Sequence, residues 1–187
     1  MTNTVLSPVQ TPAQTRTWTI DPAHSLAEFS VRHMMVSTVK GRFTDLSGAI
    51  VFDHSDPTRA SVQAEIKAAS ITTHDPQRDA HLQSPDFFDA ERFPTLTFKS
   101  TRVEPVSDER VKIYGDLTIR DQTREVVLDA ELNGQGTNPW GKDVIGFSAH
   151  TQFNRKDFGL NWNVALEAGG VLVSDTIKVT LEVEATA

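Results

Sequence analysis

The chain has 187 residues and no cysteine, and this absence removes several kinds of site at once. Disulfides, thiolate nucleophiles and cysteine-ligated metal sites are all excluded. Six histidines are present as other candidate metal ligands, but no two have the His-x-x-x-His spacing of a helical metal site. The sequence therefore predicts no metal site.

Basic residues and long apolar runs are also scarce. Lys and Arg total 18 against 25 Asp and Glu, so the formal net charge is -7. An acidic chain lacks the positive charge that drives sequence-independent nucleic-acid binding, so we expect no nucleic-acid partner. No segment approaches the roughly 18 apolar residues that span a bilayer. Residues 1–16 also lack the basic start and apolar core of a secretory signal.

These absences predict a soluble, cytoplasmic protein with a simple domain organisation. We expect a disordered N-terminal tail over residues 1–16, which are rich in Thr, Pro and Gln. We expect one folded domain over residues 17–187, a length typical of a single domain.

Alternation of apolar and polar residues dominates the chain from Trp18 onward. In one example, Val126, Leu128 and Ala130 face away from Glu125 and Asp129. About eight or nine such strands are joined by short turns, which predicts antiparallel neighbours with one face in water. They can form a closed barrel or a two-sheet sandwich. We favour an eight-stranded barrel, because alternation in nearly every strand requires one shared interior.

A helical insert interrupts the strand patterns at about residues 75–90. Asp75 before Pro76 has the pattern of a helix N-cap followed by proline at the first helical position, and Ser84-Pro85 repeats it. Phe87 and Phe88 follow directly. A lone helical element in an all-β chain usually closes one end of a barrel, so we expect this insert to cover an end.

The inward-facing positions include many small residues, which bears on whether the barrel is filled. An eight-stranded barrel can fill itself with side chains or hold one small ligand. Small inward residues favour a cavity; alternatively, they accommodate large neighbours. The small residues are Ala27, Gly41, Ala64, Ala68, Gly115, Ala130 and Ala149.

Seven segments, in order between residues 17 and 186, together resemble the YceI-like family of polyisoprenoid-binding proteins. The insert 78–89, RDAHLQSPDFFD, is the most specific of them. The other six are DPAHS at 21–25, FSVRH at 29–33, VKGRF at 39–43, FPTLTFKS at 93–100, GDLTI at 115–119 and RKDFG at 155–159.

The resemblance implies an extended, lipocalin-like barrel whose apolar tunnel holds a long isoprenoid chain or another lipid, with no catalytic group and no cofactor. We therefore expect a non-catalytic protein that carries or buffers an isoprenoid, a quinone, a polyprenyl phosphate or a fatty amide and exchanges it with membranes. The oligomeric state is left open, with a homodimer as one possibility. Our candidates for the tunnel wall are Phe29, Val31, Phe43, Ile66, Leu96, Phe98, Ile113, Leu128, Phe147 and Phe153.

Other residues are candidates for the ends of such a tunnel. His33 ends the inward face of its strand and could contact a ligand head group. Phe87 and Phe88 could cover the tunnel mouth, or they could simply attach the insert to the barrel.

Several charged residues allow different interpretations. Arg78 with Asp79, and Arg155 with Asp157, could bind a pyrophosphate or could form ion pairs that fasten loops.

A second functional class also stays open at this point. It is a small-molecule enzyme that uses His33, or His24 with Asp21, as an acid–base group in the same cavity. The competing interpretation of Asp21 to Ser25 is a turn held by local hydrogen bonds.

Overall fold

Eleven β-strands and one α-helix account for most of the chain in the computed structural model, which describes residues 15–167 and 169–187. The strands are β1 Arg16–Ile20, β2 Leu26–His33, β3 Ser37–Phe43, β4 Leu46–Phe52, β5 Ser61–Lys67, β6 Ile71–Thr72, β7 Thr95–Pro105, β8 Arg110–Ile119, β9 Gln122–Thr137, β10 Asp143–Asn154 and β11 Thr176–Thr186. The helix α1 is Pro76–Gln83, and short 3₁₀ helices lie at Pro57–Arg59, Ala68–Ser70 and Arg155–Phe158.

Residues 1–14 of the predicted tail lie outside the described residues, and Arg16, its last residue, already begins β1. In the part of the chain that is described, every helix is too short or too polar to cross a bilayer. The cytoplasmic location and the homodimer stay predictions.

The strands close into a barrel with entirely antiparallel pairing. Neighbours follow the order β1-β4-β5-β7-β8-β9-β10-β11, and β1 pairs with β11 to complete the ring. The other three segments extend ring strands: β2 follows β1 along β11, β3 precedes β4, and β6 follows β5. The eleven segments are thus eight strands, three of them broken. This confirms the predicted all-β, eight-stranded antiparallel barrel.

The breaks in the three interrupted strands explain why the barrel has two different ends. At the break between β3 and β4, the backbone N–H of Thr44 donates to the carbonyl of Ser70, 3.2 Å away, which ties this break to the one between β5 and β6. Beyond the breaks, β6 pairs with β3 but not with β7 in the described structure. We call this the insert end, because α1 and residues 84–94 lie there. The opposite end, where β1 meets β11, is the ring end.

The insert begins as the sequence predicts and ends earlier than expected. The Asp75 carboxylate caps α1 by accepting from the backbone N–H groups of Gln77 and Arg78, each 3.1 Å away. Ser84 does not start a second helix. It ends α1, and its hydroxyl donates to the carbonyl of His81 while residues 85–92 continue mainly as turns.

Two adjacent apolar clusters fill much of the barrel. One, toward the insert end, is built around Phe43 and Phe158; the other, at the ring end, is built around Trp18 and Ile145. Ile66 packs against both clusters, so the two are continuous along the barrel axis. The sheet therefore encloses a single apolar interior.

Candidate ligand-binding cavity

A cavity of about 260 Å³ lies inside the barrel and reaches both ends. Its lining runs from Phe52 and Val103 near the ring end to Phe87 and Val173 at the insert end. Alternation places every second side chain of the surrounding strands on this inner surface. The interior is therefore not filled solid by its own side chains.

Twelve of the thirteen predicted site residues line this cavity. They are Phe29, Val31, Phe43, Ile66, Phe87, Phe88, Leu96, Phe98, Ile113, Leu128, Phe147 and Phe153. His33 is the exception: it pairs with Ser37 in the turn between β2 and β3, forms an isolated bridge with Val173, and is not part of the lining. Contact of any of these residues with a ligand stays a prediction.

Six of the seven small residues divide between two roles, and the seventh, Ala68, begins a 3₁₀ helix and is buried in the apolar cluster toward the insert end without lining the cavity. Ala27, Ala64, Ala130 and Ala149 line the cavity, and Ala130 lies opposite Ala149 in the pairing of β9 with β10.

The two glycines instead leave room for aromatic rings. A Cβ atom at Gly41 would collide with the ring of Phe29, and one at Gly115 would collide with the ring of Phe98. Each ring packs against the backbone of a glycine on the neighbouring strand. The alanines therefore leave space in the cavity, as one interpretation of the small residues predicted, and the glycines accommodate large neighbours, as the other predicted.

Sequence reasoning missed lining residues of two kinds. Those on strands, such as Ile50 and Val183, follow the same alternation and could have been found from it. Leu82 lies on α1, and Leu160 and Val173 lie between β10 and β11, where no period-two signal exists. Only the folding of these segments over the insert end brings the second group to the cavity.

Aromatic side chains cover the cavity at the insert end. The ring of Phe88 meets the barrel residue Phe43 edge-on, with centroids 5.6 Å apart. The ring of Phe87 is 8% exposed and packs against Trp162 and His81, at 5.3 and 5.1 Å. Both phenylalanines thus attach the insert to its surroundings and also cover the cavity.

Arg155 is the one arginine or lysine in the described lining, and it is 2% exposed. Its Nε donates to the carbonyl of Ser174 at 3.0 Å, and its Nη1 donates to the carbonyls of Leu160 and Trp162 at 2.5 and 2.9 Å. Its Nη2 lies 3.6 Å from Asp175 Oδ1. The guanidinium therefore holds together the segment between β10 and β11. The acidic partner is Asp175 and not the predicted Asp157.

Arg78 and Asp79 also fasten the insert, but each does so through Thr73, and the acidic partner of Arg78 is Asp75, 3.7 Å from its Nη1, and not the predicted Asp79. Asp79 Oδ1 accepts from the backbone N–H and the hydroxyl of Thr73, at 2.7 and 2.6 Å. Arg78 Nε donates to the same hydroxyl at 2.7 Å. Their side chains bind the end of β6 to α1 and do not line the cavity.

The Asp21–His24 pair lies on the outside of the barrel. His24 Nδ1 is 2.9 Å from Asp21 Oδ2 and 3.7 Å from Glu184 Oε1, and its side chain is 62% exposed. The neighbouring Ser25 hydroxyl donates to the carbonyl of Glu184 at 3.1 Å, which joins the break between β1 and β2 to β11. Residues 21–25 therefore form the turn that the competing interpretation of the sequence predicted, in which Asp21 accepts from the backbone N–H of Ala23 and contacts His24. An acid–base group inside the cavity, formed by His33 or by His24 with Asp21, is not found in the described residues.

The side chains of Asp21, His24 and Glu184 are close enough to one another to surround a cation. The ligand atoms of Asp21, His24 and Glu184 lie within 4.8 Å of one another. The His24 Nδ1 atom is already engaged by Asp21 Oδ2, 2.9 Å away.

The charge of His24 depends on its acidic neighbours. The hydrogen bond with Asp21, together with the charges of Asp21 and Glu184, raises the pKa of His24 above its usual 6.5. We expect Asp21→Asn to return this pKa toward 6.5, measured by titrating the histidine ring signals by NMR. Glu184→Gln removes a smaller contribution and should lower the pKa less. A wild-type His24 pKa at or below 6.5 would contradict the contact.

The sign of the linked stability effect follows from the direction of the shift. A raised folded-state pKa means that folding favours protonated His24. Its contribution to the free energy of unfolding is therefore complete below about pH 6.5, the unfolded-state pKa. It is lost as the pH rises through the folded-state value.

Comparison with known proteins places this fold in a family. A YceI-like domain matches residues 18–185. The UPF0312 protein SA2479 of Staphylococcus aureus is 39% identical over 168 residues, which cover 89% of this chain and 95% of that protein.

Solved structures also resemble the barrel, and two of them illustrate the range of similarity. One is BcnA of Burkholderia cenocepacia, with a TM-score of 0.77 and 22% sequence identity. The superposed region covers 89% of this chain and 99% of that chain. The other is a polyisoprenoid binding domain from Saccharophagus degradans, with a TM-score of 0.64 and 15% identity, covering 93% and 99%. Because the domain match spans almost the entire barrel and the Staphylococcus aureus relative is similar over nearly its full length, this chain belongs to the YceI-like family.

Proposed function

We propose that this protein binds a long-chain apolar lipid, such as an isoprenoid, and carries or buffers it without chemical change. The observation that carries the proposal is the cavity of about 260 Å³ lined by apolar side chains from strands all around the barrel. A void inside a protein forfeits packing contacts, and an apolar guest restores them. The polyisoprenoid binding domain from Saccharophagus degradans, which has the same fold, supports this choice of guest.

The size of the cavity limits how such a guest is held. Small-molecule sites commonly have volumes of about 300–1,000 Å³, and this cavity lies just below that range at about 260 Å³. A long tail therefore requires the rings that narrow the interior, such as Phe29 and Phe98, to rotate, or it extends beyond the barrel.

Exchange with a membrane is part of the proposal. Moving a hydrocarbon tail from a bilayer into an apolar cavity is close to neutral, since lipid tails are as apolar as leucine. Cargo can therefore be taken up and returned without a large free-energy barrier from the tail itself. Selectivity must then arise from the shape of the cavity and from the polar group of the lipid.

Exposed apolar residues at the insert end suit contact with a lipid surface. The turn between β2 and β3 lies beside Leu172 and Val173: the backbone N–H of Met34 donates to the carbonyl of Leu172 at 2.8 Å, and His33 forms a bridge with Val173. Residues 33–37 and 163–173 contain a single formally charged residue, Glu167, in a chain of net charge -7. The exposed apolar side chains are Met34, Met35, Val36, Val164 and Val171.

Solvent extraction of the protein tests this function. We expect protein purified without detergent from its own host to release one long-chain apolar molecule per chain, identified by mass spectrometry. Delipidated protein is then incubated with vesicles that contain an isoprenoid quinone and is separated from them again. It should reload to the same stoichiometry. Ala130→Phe, handled identically, is the control for lipid that adheres to the surface. Protein that is empty in both experiments, or that releases as much lipid as this variant, would contradict the proposal.

A further inference from the structure

The turn between β2 and β3 holds two methionines in a backbone conformation that residues other than glycine rarely adopt. Met34 and Met35 have φ angles of 50° and 61°, and the backbone N–H of Val36 donates to the carbonyl of His33 at 3.1 Å. Positive φ at both central residues is the pattern of a type I′ turn, where Asn-Gly is usual and a Cβ atom is unfavourable. Backbone strain of this kind is retained in proteins mainly where it serves function.

The side chains of this turn are exposed at its tip. Met35 and Val36 are 58% and 77% exposed, and neither they nor Met34 belong to an apolar cluster of the described structure. Packing within the chain therefore gives no reason for apolar residues here, since Asn-Gly would form the same turn with less strain. The methionines and the valine are thus available for a contact outside the chain.

A second apolar segment lies beside this turn. The backbone N–H of Leu172 donates to the carbonyl of Val164 at 2.9 Å, so residues 163–166 and 170–173 run antiparallel. The hydrogen bond from the N–H of Met34 to the carbonyl of Leu172 joins this segment to the turn. The exposed side chains of the two form what we call the apolar tip: Met34, Met35, Val36, Val164 and Val171.

The chemistry of the apolar tip fits a lipid surface without net charge. Residues 33–37, 163–166 and 170–173 contain no Asp, Glu, Lys or Arg, although the whole chain has a net charge of -7. A stable protein interface buries about 800 Å² per partner and involves about 20–30 residues a side. Five side chains at the ends of two turns are too few for such an interface, but they can bury themselves in the interfacial layer of a bilayer.

The backbone of the tip is also suited to a place with little water. A polar backbone group that enters a bilayer must be paired within the protein. The N–H groups of Met34 and Val36 donate to carbonyls, and the carbonyl of Met35 accepts from Arg32 Nη2 at 2.7 Å. Arg32 Nη1 donates to the hydroxyl of Thr38 at 3.3 Å, which holds the guanidinium just behind the tip. There the charge can reach the lipid phosphates while the apolar side chains lie deeper.

The apolar tip adjoins the cavity. Val31, on β2, and Val173 both line the cavity, and Val173 bridges His33 at the base of the turn. We propose that the apolar tip inserts into the surface of a zwitterionic lipid bilayer and holds the insert end of the barrel against it. This inference rests on the proposed lipid-binding function and adds the surface through which the cargo enters and leaves.

Replacing the methionines by the residues that the turn prefers tests the inference. Met34→Asn combined with Met35→Gly keeps the turn and removes two apolar side chains. We expect binding to phosphatidylcholine vesicles, measured by flotation, to weaken at least about tenfold. The midpoint of denaturant unfolding should stay equal or rise, because the strain is relieved. Trp140→Asn is the matched control: it removes an exposed apolar side chain from the turn between β9 and β10, at the ring end. An equal loss of binding in the control would overturn the inference.

Salt dependence and self-association exclude other occupants of the tip. Binding of the wild type to pure phosphatidylcholine vesicles should change less than about threefold between low and high salt, because screening weakens only interactions between charges. Binding that requires an anionic lipid and disappears at high salt would overturn the inference. So would a wild-type dimer that dissociates when both methionines are replaced, measured by ultracentrifugation, because a second copy would then cover the tip.

A fluorescent label reports which end of the barrel touches the vesicle. The chain has no cysteine, so Met35→Cys and Trp140→Cys each provide one site for a dye that is sensitive to its surroundings. With vesicles, the dye at position 35 should shift its emission to shorter wavelength and be quenched by brominated acyl chains. The dye at position 140 should show neither change. The opposite result, or no change at position 35, would contradict insertion of the tip.

The kinetics of loading keep this inference separate from the proposed function. During reloading from vesicles, the variant with both methionines replaced should reach the wild-type amount of lipid per chain at least about tenfold more slowly, because its cavity is unchanged and its contact with the membrane is weakened. Equal reloading rates would overturn the docking surface and leave the function intact. Wild-type protein that binds vesicles but takes up no lipid would contradict the function and not the docking surface.

Discussion

Ala130→Phe is expected to reduce lipid uptake at least tenfold while the protein stays folded. Ala130 is 3% exposed, lines the cavity and lies opposite Ala149, so a phenyl ring at this position occupies volume that the guest needs. Each methylene group of the guest that returns to water costs about 0.8 kcal/mol, so displacing two or more is sufficient. The measurement is the amount of lipid extracted after loading from vesicles.

A matched change on the same strand separates cavity filling from general disturbance. Val127 lies on β9 and is 37% exposed, and Val127→Phe should leave uptake unchanged. Ala64→Phe, on β5 in the lining, should weaken uptake as Ala130→Phe does. Normal uptake in both lining variants would mean that the guest lies elsewhere. Because the cavity accommodates the ring, Ala130→Phe should also avoid the cost of about 1–3 kcal/mol usual for overpacked cores.

Arg155→Met is expected to lower the free energy of unfolding by about 3–5 kcal/mol, because several carbonyl groups lose their donor, at about 1–3 kcal/mol for each that stays buried and unpaired. The side chain is 2% exposed, and the segment between β10 and β11 depends on its contacts with the carbonyls of Leu160, Trp162 and Ser174. Burial lowers the pKa of the Arg155 guanidinium, and the charge of Asp175 partly opposes this effect. Denaturant unfolding measures the change.

Lys156→Met provides the control for Arg155, because both side chains contact Asp175. Lys156 Nζ lies 3.0 Å from Asp175 Oδ2, but it is 46% exposed, so its loss should cost less than about 1 kcal/mol. The Arg155 variant could instead be as stable as the wild type and lose the binding of an anionic lipid. That result would restore the interpretation of Arg155 as a residue that binds the lipid head group.

Local patterns predicted most of the wall of the barrel and the start of the insert. Alternation in β9 placed Leu128 and Ala130 on the inner face, and both line the cavity. The pair Asp75-Pro76 predicted the cap of α1, and the carboxylate caps the helix as expected. These features depend on side-chain spacing within one segment or on a hydrogen bond two or three residues away, so the sequence alone is sufficient to predict them.

The role of Arg155 could not be predicted in the same way. Its partner could be guessed only from neighbours in the sequence, which suggested Asp157, whereas the chain returns to place Asp175 and four carbonyl groups around it. The position of His33 shows the same limit. Alternation gave the correct face of β2, but not the fact that the cavity ends before this residue.

Amino-acid order by itself determined that this protein is an all-β barrel with an apolar inner face and a helical insert, because alternation and capping act over a few residues. The tertiary structure alone decided how much of the interior stays empty. Gly41 and Gly115 could have widened the bore, but the rings of Phe29 and Phe98 occupy the space beside them. Empty volume depends on contacts between strands, and those contacts are set only when the sheet closes.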